Sequence, residues 1–182
     1  VKGIGQVQWS CSDDLLSAAE LLWQKPCREY RYTAVDLLRK HSALLGVNDL
    51  LALQNLLLRE PWWETVDGLS AVISDLLHAA VRVQPNAAKV MDAWLTHPVL
   101  WVRRSAMLHQ LGWRLDTDPT RLFGYAQQLA GEKEFFIRKA IGWALRDYAR
   151  WNPQAVTEFV AQHRTNLSGL TVREAAKHLQ LP

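Results

Sequence analysis

A six-residue unit recurs along this chain at a fixed interval, and that interval limits the architecture more than any other feature. The unit runs aromatic or Thr, apolar or Tyr, Arg, polar, small, then Ala or apolar. It reads Trp101-Val102-Arg103-Arg104-Ser105-Ala106, then Phe136-Ile137-Arg138-Lys139-Ala140-Ile141, then Thr171-Val172-Arg173-Glu174-Ala175-Ala176. Glu29-Tyr30-Arg31-Tyr32-Thr33-Ala34 is a looser early copy. The central residues Arg31, Arg103, Arg138 and Arg173 stand 72, 35 and 35 residues apart, so the long gap has room for one more unit. Halfway across it lies Thr65-Val66-Asp67, directly after Trp62-Trp63, with a carboxylate where the pattern places a cation. A departure from the chain's own repeat beside two tryptophans marks a position for chemistry or recognition.

Apolar spacing is helical almost throughout, and no stretch alternates convincingly as a strand does. Ser12, Asp13 and Asp14 offer N-cap chemistry for a helix over residues 12 to 25, which Pro26 ends. A second helix spans 28 to 45 and is closed by Gly46. Asn48 can cap a third that runs to residue 59. Pro61 opens a fourth, with Val66, Leu69, Ile73, Leu77 and Ala80 as its core stripe. Further starts fall at Pro85, Pro98, Asp118-Pro119, residues 132 to 134, Pro153 and Thr171. Some ten helices with a 35-residue repeat predict an all-α fold: an α-α superhelix of about five HEAT-like helix pairs over residues 1–182, a single domain with a concave basic face. The tetratricopeptide pattern of Trp, Leu-Gly and Tyr is missing.

Charge narrows the partner. Residues 1–100 carry nine Lys and Arg against eleven Asp and Glu, whereas residues 101–182 carry twelve against seven. The cationic surplus thus lies in the C-terminal half and suits a polyanion, nucleic acid above all. Cys11 and Cys27 have no metal-ligand spacing. With no apolar run of membrane-spanning length and no signal-peptide layout, a cytoplasmic protein that needs no membrane is expected. Phosphate-binding, nucleophile-elbow and dinucleotide motifs are absent, and the six histidines lack metal-site spacing, so neither a metal nor a cofactor is expected.

Two constellations remain. Trp63 and Asp67 are four residues apart and share one helix face, at the margin of the core stripe. There Asp67 either bridges to Arg31 or Arg103 in adjacent pairs or is a carboxylate held against an aromatic surface, available to stabilise a cation or orient a water. The helix around residues 136 to 150 has two faces: Ile137, Ile141, Ala144, Leu145 and Tyr148 on one, Lys139, Trp143, Arg146 and Arg150 on the other. A tryptophan among cations suits a nucleic-acid backbone, with guanidinium groups on phosphates and the indole on sugar or base. Trp101 is a further candidate for this surface. Arg103, at the repeat position, is read as structural, and its neighbour Arg104 as the better phosphate ligand. Arg104→Ala is expected to weaken DNA affinity and flatten its salt dependence.

At these residues the chain resembles the DNA alkylation repair glycosylases of the AlkD family. The resemblance rests on Arg28-Glu29-Tyr30-Arg31-Tyr32-Thr33-Ala34, Pro61-Trp62-Trp63-Glu64-Thr65-Val66-Asp67 and the 101–106 unit. It also rests on residues 136 to 146 and 167 to 175, and it covers nearly everything from about Trp23 onward. It implies an N-glycosylase, monofunctional and without lyase activity, that removes cationic N3- and N7-alkylated purines from double-stranded DNA. Under this resemblance Asp67 is the catalytic carboxylate, Trp63 and Trp143 flank the lesion, and Arg104 meets the DNA backbone. Lys139, Arg146, Arg150, Arg103 and Trp101 extend the DNA-binding set, and a monomer is expected. Val1-Lys2-Gly3-Ile4 looks like the remnant of a segment that an extra N-terminal helix usually precedes in the family. A non-catalytic paralogue that binds damaged or distorted DNA, or a protein-interaction scaffold, are the alternatives.

Overall fold

The computed structural model describes residues 9–179, so the segment Val1 to Ile4 lies outside the described residues. Those residues form ten α-helices and no strand. The chain divides into two compact units, residues 1–88 and 89–182. In the first, α1 (Ser12–Trp23) pairs with α2 (Arg28–Lys40), and α3 (Leu50–Leu58) pairs with α4 (Trp63–Val81). The second holds α5 (Val90–Trp94) with α6 (Leu100–Leu108), α7 (Pro119–Leu129) with α8 (Phe135–Ala149), and then α9 (Pro153–Gln162) and α10 (Gly169–Ala175), both of which pack on α8. Within each unit the even-numbered helices pack on one another, α2 on α4 in the first and α6 on α8 on α10 in the second. The repeated motif falls in the first turns of these stacked helices, so its 35-residue period is the spacing of one helix pair.

Several boundaries differ from the sequence expectation, for local reasons. Helix α2 stops at Lys40, and the stretch before Gly46 continues as a 3-10 turn over Ser42–Leu44. At α3 the helix begins after a 3-10 turn at Val47–Asp49, where the Asp49 carboxylate, not Asn48, accepts the Gly46 N–H at 2.8 Å. The N-cap of α1 is Cys11, so Ser12, Asp13 and Asp14 form the first turn; the two carboxylates there complement the positive end of the helix dipole. Asp118 caps α7 as expected, accepting from the Thr120 and Arg121 amides ahead of Pro119. Of the α4 stripe, Val66, Leu69, Ile73 and Leu77 are fully buried, and Ala80 sits at its edge.

Two glycines set how closely the stacked helices approach. A Cβ on Gly68 in α4 would lie 2.5 Å from Val35 Cγ1 of α2. One on Gly142 in α8 would lie 2.4 Å from Glu174 Cβ and 3.0 Å from the Thr171 carbonyl of α10. Gly142→Ala should therefore wedge α8 from α10 and destabilise the protein by about 1–3 kcal/mol, read as a lower Tm in thermal unfolding. An unchanged Tm would mean that α10 shifts at no cost. No helix among the described residues is long and apolar enough to cross a membrane.

Candidate functional site

In the first unit, polar contacts join the start of α2 to the start of α4. Arg31 forms an ion pair with Glu60, a turn residue with φ of 46°. Tyr32 donates its hydroxyl to Glu64, and Arg28 lies 3.6 Å from the same carboxylate. The hydrogen bond to Glu64 raises the Tyr32 pKa above its ordinary value. Arg28 also stands 6.0 Å from the Trp62 ring centroid, and the Thr65 hydroxyl donates to the Trp62 carbonyl at 3.0 Å, securing the helix entry. This scaffold leaves Trp62 and Trp63 exposed, large aromatic surfaces of the kind that usually serve contact with a partner. Asp67, one turn after Trp63 and half-buried, stands beside the tight contact of Gly68 with Val35.

The repeat arginines have a task that an aspartate cannot perform. Arg103 donates from Nη1 to the carbonyls of His97, at 2.7 Å, and Pro98, at 2.9 Å, and pairs with Glu132, its Nε 2.7 Å from the carboxylate. Arg138 likewise folds back to the Glu132 carbonyl at 2.8 Å. In both cases a cation returns to the turn six residues earlier and satisfies carbonyls that no helix bond reaches. The ion pairs Arg31–Glu60 and Arg103–Glu132 also share a spacing of 29 residues. At the same spacing after Asp67 the chain has Thr96, so the arginine and its carboxylate partner are replaced together. The Arg103 side chain is thus engaged with the turn ahead of α6 and with Glu132.

In the second unit the cluster centres on Trp143, half-buried on α8. Three cations surround the ring: Arg104 Cζ at 5.1 Å, Lys139 Nζ at 5.4 Å and Arg146 Cζ at 5.9 Å from its centroid. The two faces expected of α8 are present, with Ile137, Ile141, Ala144, Leu145 and Tyr148 buried and Arg150 exposed. Two of the residues expected to bind DNA are buried. Trp101 is 8% exposed and packs on Phe136 with centroids 4.9 Å apart, so it belongs to the core rather than to a working surface. Arg104 is 1% exposed; it donates to the Phe136 carbonyl and lies against the Phe136 and Trp143 rings. A phosphate could reach that guanidinium only after rearrangement, so in this conformation Arg104 supports the indole.

Sequence reasoning missed Glu174. This carboxylate of α10 is 6% exposed and accepts Lys139 Nζ at 2.9 Å, Arg146 Nη1 at 2.9 Å and Lys177 Nζ at 2.8 Å. Burial alone would raise its pKa, but the hydrogen bonds from Lys177 and Lys139 and their charges outweigh that and hold it at about 2. The signal lay in the repeat itself. The residue after each of the last three central arginines is Arg104, Lys139 and then Glu174, a charge reversal within one register column.

Acid should act on this unit in two stages. Buried His109 donates from Nδ1 to the Ala106 carbonyl and lies between the Trp113 and Tyr125 rings. Burial, with Arg121 adding to it, depresses its pKa from 6.5 to about 4, although the Ala106 bond, Asp92 and Asp118 oppose the shift. A depressed histidine gives stability that is complete above pH 6.5 and is lost as pH falls toward 4, because the unfolded chain binds the proton first. The depressed Glu174 gives stability that is complete above pH 4.5 and is lost toward pH 2. The unfolding free energy from denaturant titration should therefore fall from pH 6.5 downward, by about 1–3 kcal/mol per stage. His109→Gln should remove the upper stage; a flat profile between pH 7 and 4 in the wild type would contradict the assignment.

The all-helical fold of stacked pairs agrees with what other proteins show. The model of the DNA alkylation repair enzyme family matches residues 5–179, and the chain belongs to that family. Among solved structures it is similar to a protein described as a predicted DNA alkylation repair enzyme from Enterococcus faecalis. The two are 29% identical with a TM-score of 0.84, over 94% of this chain and 78% of that one. The fold also matches AlkD2 from Streptococcus mutans at 17% identity and a TM-score of 0.67, over 98% of this chain and 95% of that one. A third match is smu.31 from Streptococcus mutans UA159, at 19% identity and a TM-score of 0.69, over 94% and 86%. A search of the curated proteins found no match.

Proposed function

We propose that this protein is a monofunctional DNA glycosylase that hydrolyses the glycosidic bond of cationic N3- and N7-alkylated purines in double-stranded DNA. The observation that carries the reading is Asp67: a half-buried carboxylate, one turn from an exposed tryptophan, in the register where the repeat otherwise has arginine, within a family of DNA alkylation repair enzymes. Alkylation at N3 or N7 puts a positive charge on the base and makes it a good leaving group. As the glycosidic bond breaks, positive charge develops on the deoxyribose. Asp67 stabilises that cation and orients the water that captures it, an effect on the order of a few kcal/mol at the transition state. Trp63 and Trp143 offer π-faces to a cationic nucleotide, at roughly 0.5–2 kcal/mol each. Arg146, Lys139 and exposed Arg150 supply charge for flanking phosphates, while Arg104 steadies Trp143 from the buried side. The reaction needs no covalent amine, so no strand cleavage accompanies base release.

The test is incubation with duplex DNA treated with a methylating agent, followed by chromatography of the released bases. Free 3-methyladenine or 7-methylguanine with an intact sugar-phosphate backbone is the expected product. Tight binding of methylated duplex with no base released would leave a damage-binding protein instead.

A further inference from the structure

The charges around Trp143 are fewer than the count of cations suggests, because a carboxylate lies among them. Glu174 bonds Lys139, Arg146 and Lys177 together, and the first two also flank the Trp143 ring. Its place is prepared by the neighbouring helix: Gly142, adjacent to Trp143 in α8, has no Cβ, and the Glu174 Cβ fills that space. A buried anion that takes three cations is a costly arrangement, and replacement of such groups by apolar ones is often neutral or stabilising. Helix packing alone therefore does not require it.

We propose that Glu174 is a positioning residue that stands in for a DNA phosphate in the free protein, holding Lys139 and Arg146 beside Trp143 so that a duplex must compete for them. The proposal rests on the DNA reading above. It follows from charge chemistry that the three cations point inward to one carboxylate, rather than spreading into solvent as independent phosphate ligands. A backbone phosphate that reaches Lys139 or Arg146 shares it with an existing anion, so fewer condensed counterions are released per contact. Undamaged duplex, which offers only its backbone, is then held weakly and released readily. A duplex that also engages the tryptophan faces keeps its added affinity. Glu174 thus tunes discrimination by lowering the sequence-independent part of binding.

The experiment measures the affinity of the full-length wild type and Glu174→Gln for an undamaged duplex across a range of salt concentrations. It also follows Lys139 acetylation by mass spectrometry in the absence of DNA. Glu174→Gln is expected to bind undamaged duplex several-fold more tightly at low salt, with the slope of log K against log salt steeper by about one to two units. Lys139 should acetylate several-fold faster. Glu174→Asp, which draws the carboxylate back by one methylene, should give a smaller step in the same direction and serves if the Gln variant folds poorly. An unchanged or shallower slope in a folded variant would overturn the proposal, as would unchanged Lys139 reactivity. If the wild type bound no duplex at all, the DNA reading itself would fall, a result distinct from a wild type that binds and a variant that binds identically.

Discussion

Asp67→Asn is expected to reduce release of methylated purines by about 100- to 1,000-fold while duplex affinity and Tm stay near those of the wild type. The substitution keeps shape and hydrogen-bonding capacity and removes only the negative charge. If Asp67 acts on charge that develops as the glycosidic bond breaks, the loss falls on the chemical step and hardly on ground-state binding. Structural roles predict the opposite pattern. A carboxylate whose chief task is an ion pair between helices would cost stability when neutralised, and activity only in proportion. The two are separated by single-turnover base release measured beside thermal unfolding. Full activity in Asp67→Asn would remove this residue from the mechanism and leave the departure from the repeat without a chemical reason.

How much of this was legible in the sequence depends on which column of the repeat is considered. The apolar columns were plain, because burial of one helix face imposes a 3.6-residue period that survives any change of partner; Val66, Leu69, Ile73 and Leu77 are all buried as the stripe requires. The central arginine column was legible as structural, although its task of folding back to turn carbonyls becomes clear only from Arg103 and Arg138 together. The next column was less legible. Arg104 looked like a variable surface residue, yet it is buried against Phe136 and Trp143, residues 32 and 39 positions later. A cation enclosed by aromatic rings and one carbonyl leaves no periodic signature, since its surroundings come from the following repeat. Glu174 escaped for the same reason. Its meaning depends on Lys139 and Arg146 in the preceding repeat and on the absent side chain of Gly142.

Arg104→Ala separates these two readings by stability alone, before any DNA is added. A solvent-facing phosphate ligand could be truncated at a cost within about 0.5 kcal/mol. The buried guanidinium predicts about 3–5 kcal/mol: a cavity between α6 and α8, the loss of the hydrogen bond to the Phe136 carbonyl, and the loss of one cation from the Phe136 and Trp143 faces. The denaturant midpoint should drop by most of the protein's margin, and base release should be lost with it. Arg104→Lys is the sharper control. It restores the charge that a phosphate contact needs, but not the planar group that lies against Trp143 and Phe136, so most of the stability should stay lost. Restoration of the midpoint by lysine would show that charge, not shape, is what this position contributes. In that case the sequence expectation of a phosphate ligand at Arg104 would stand after all.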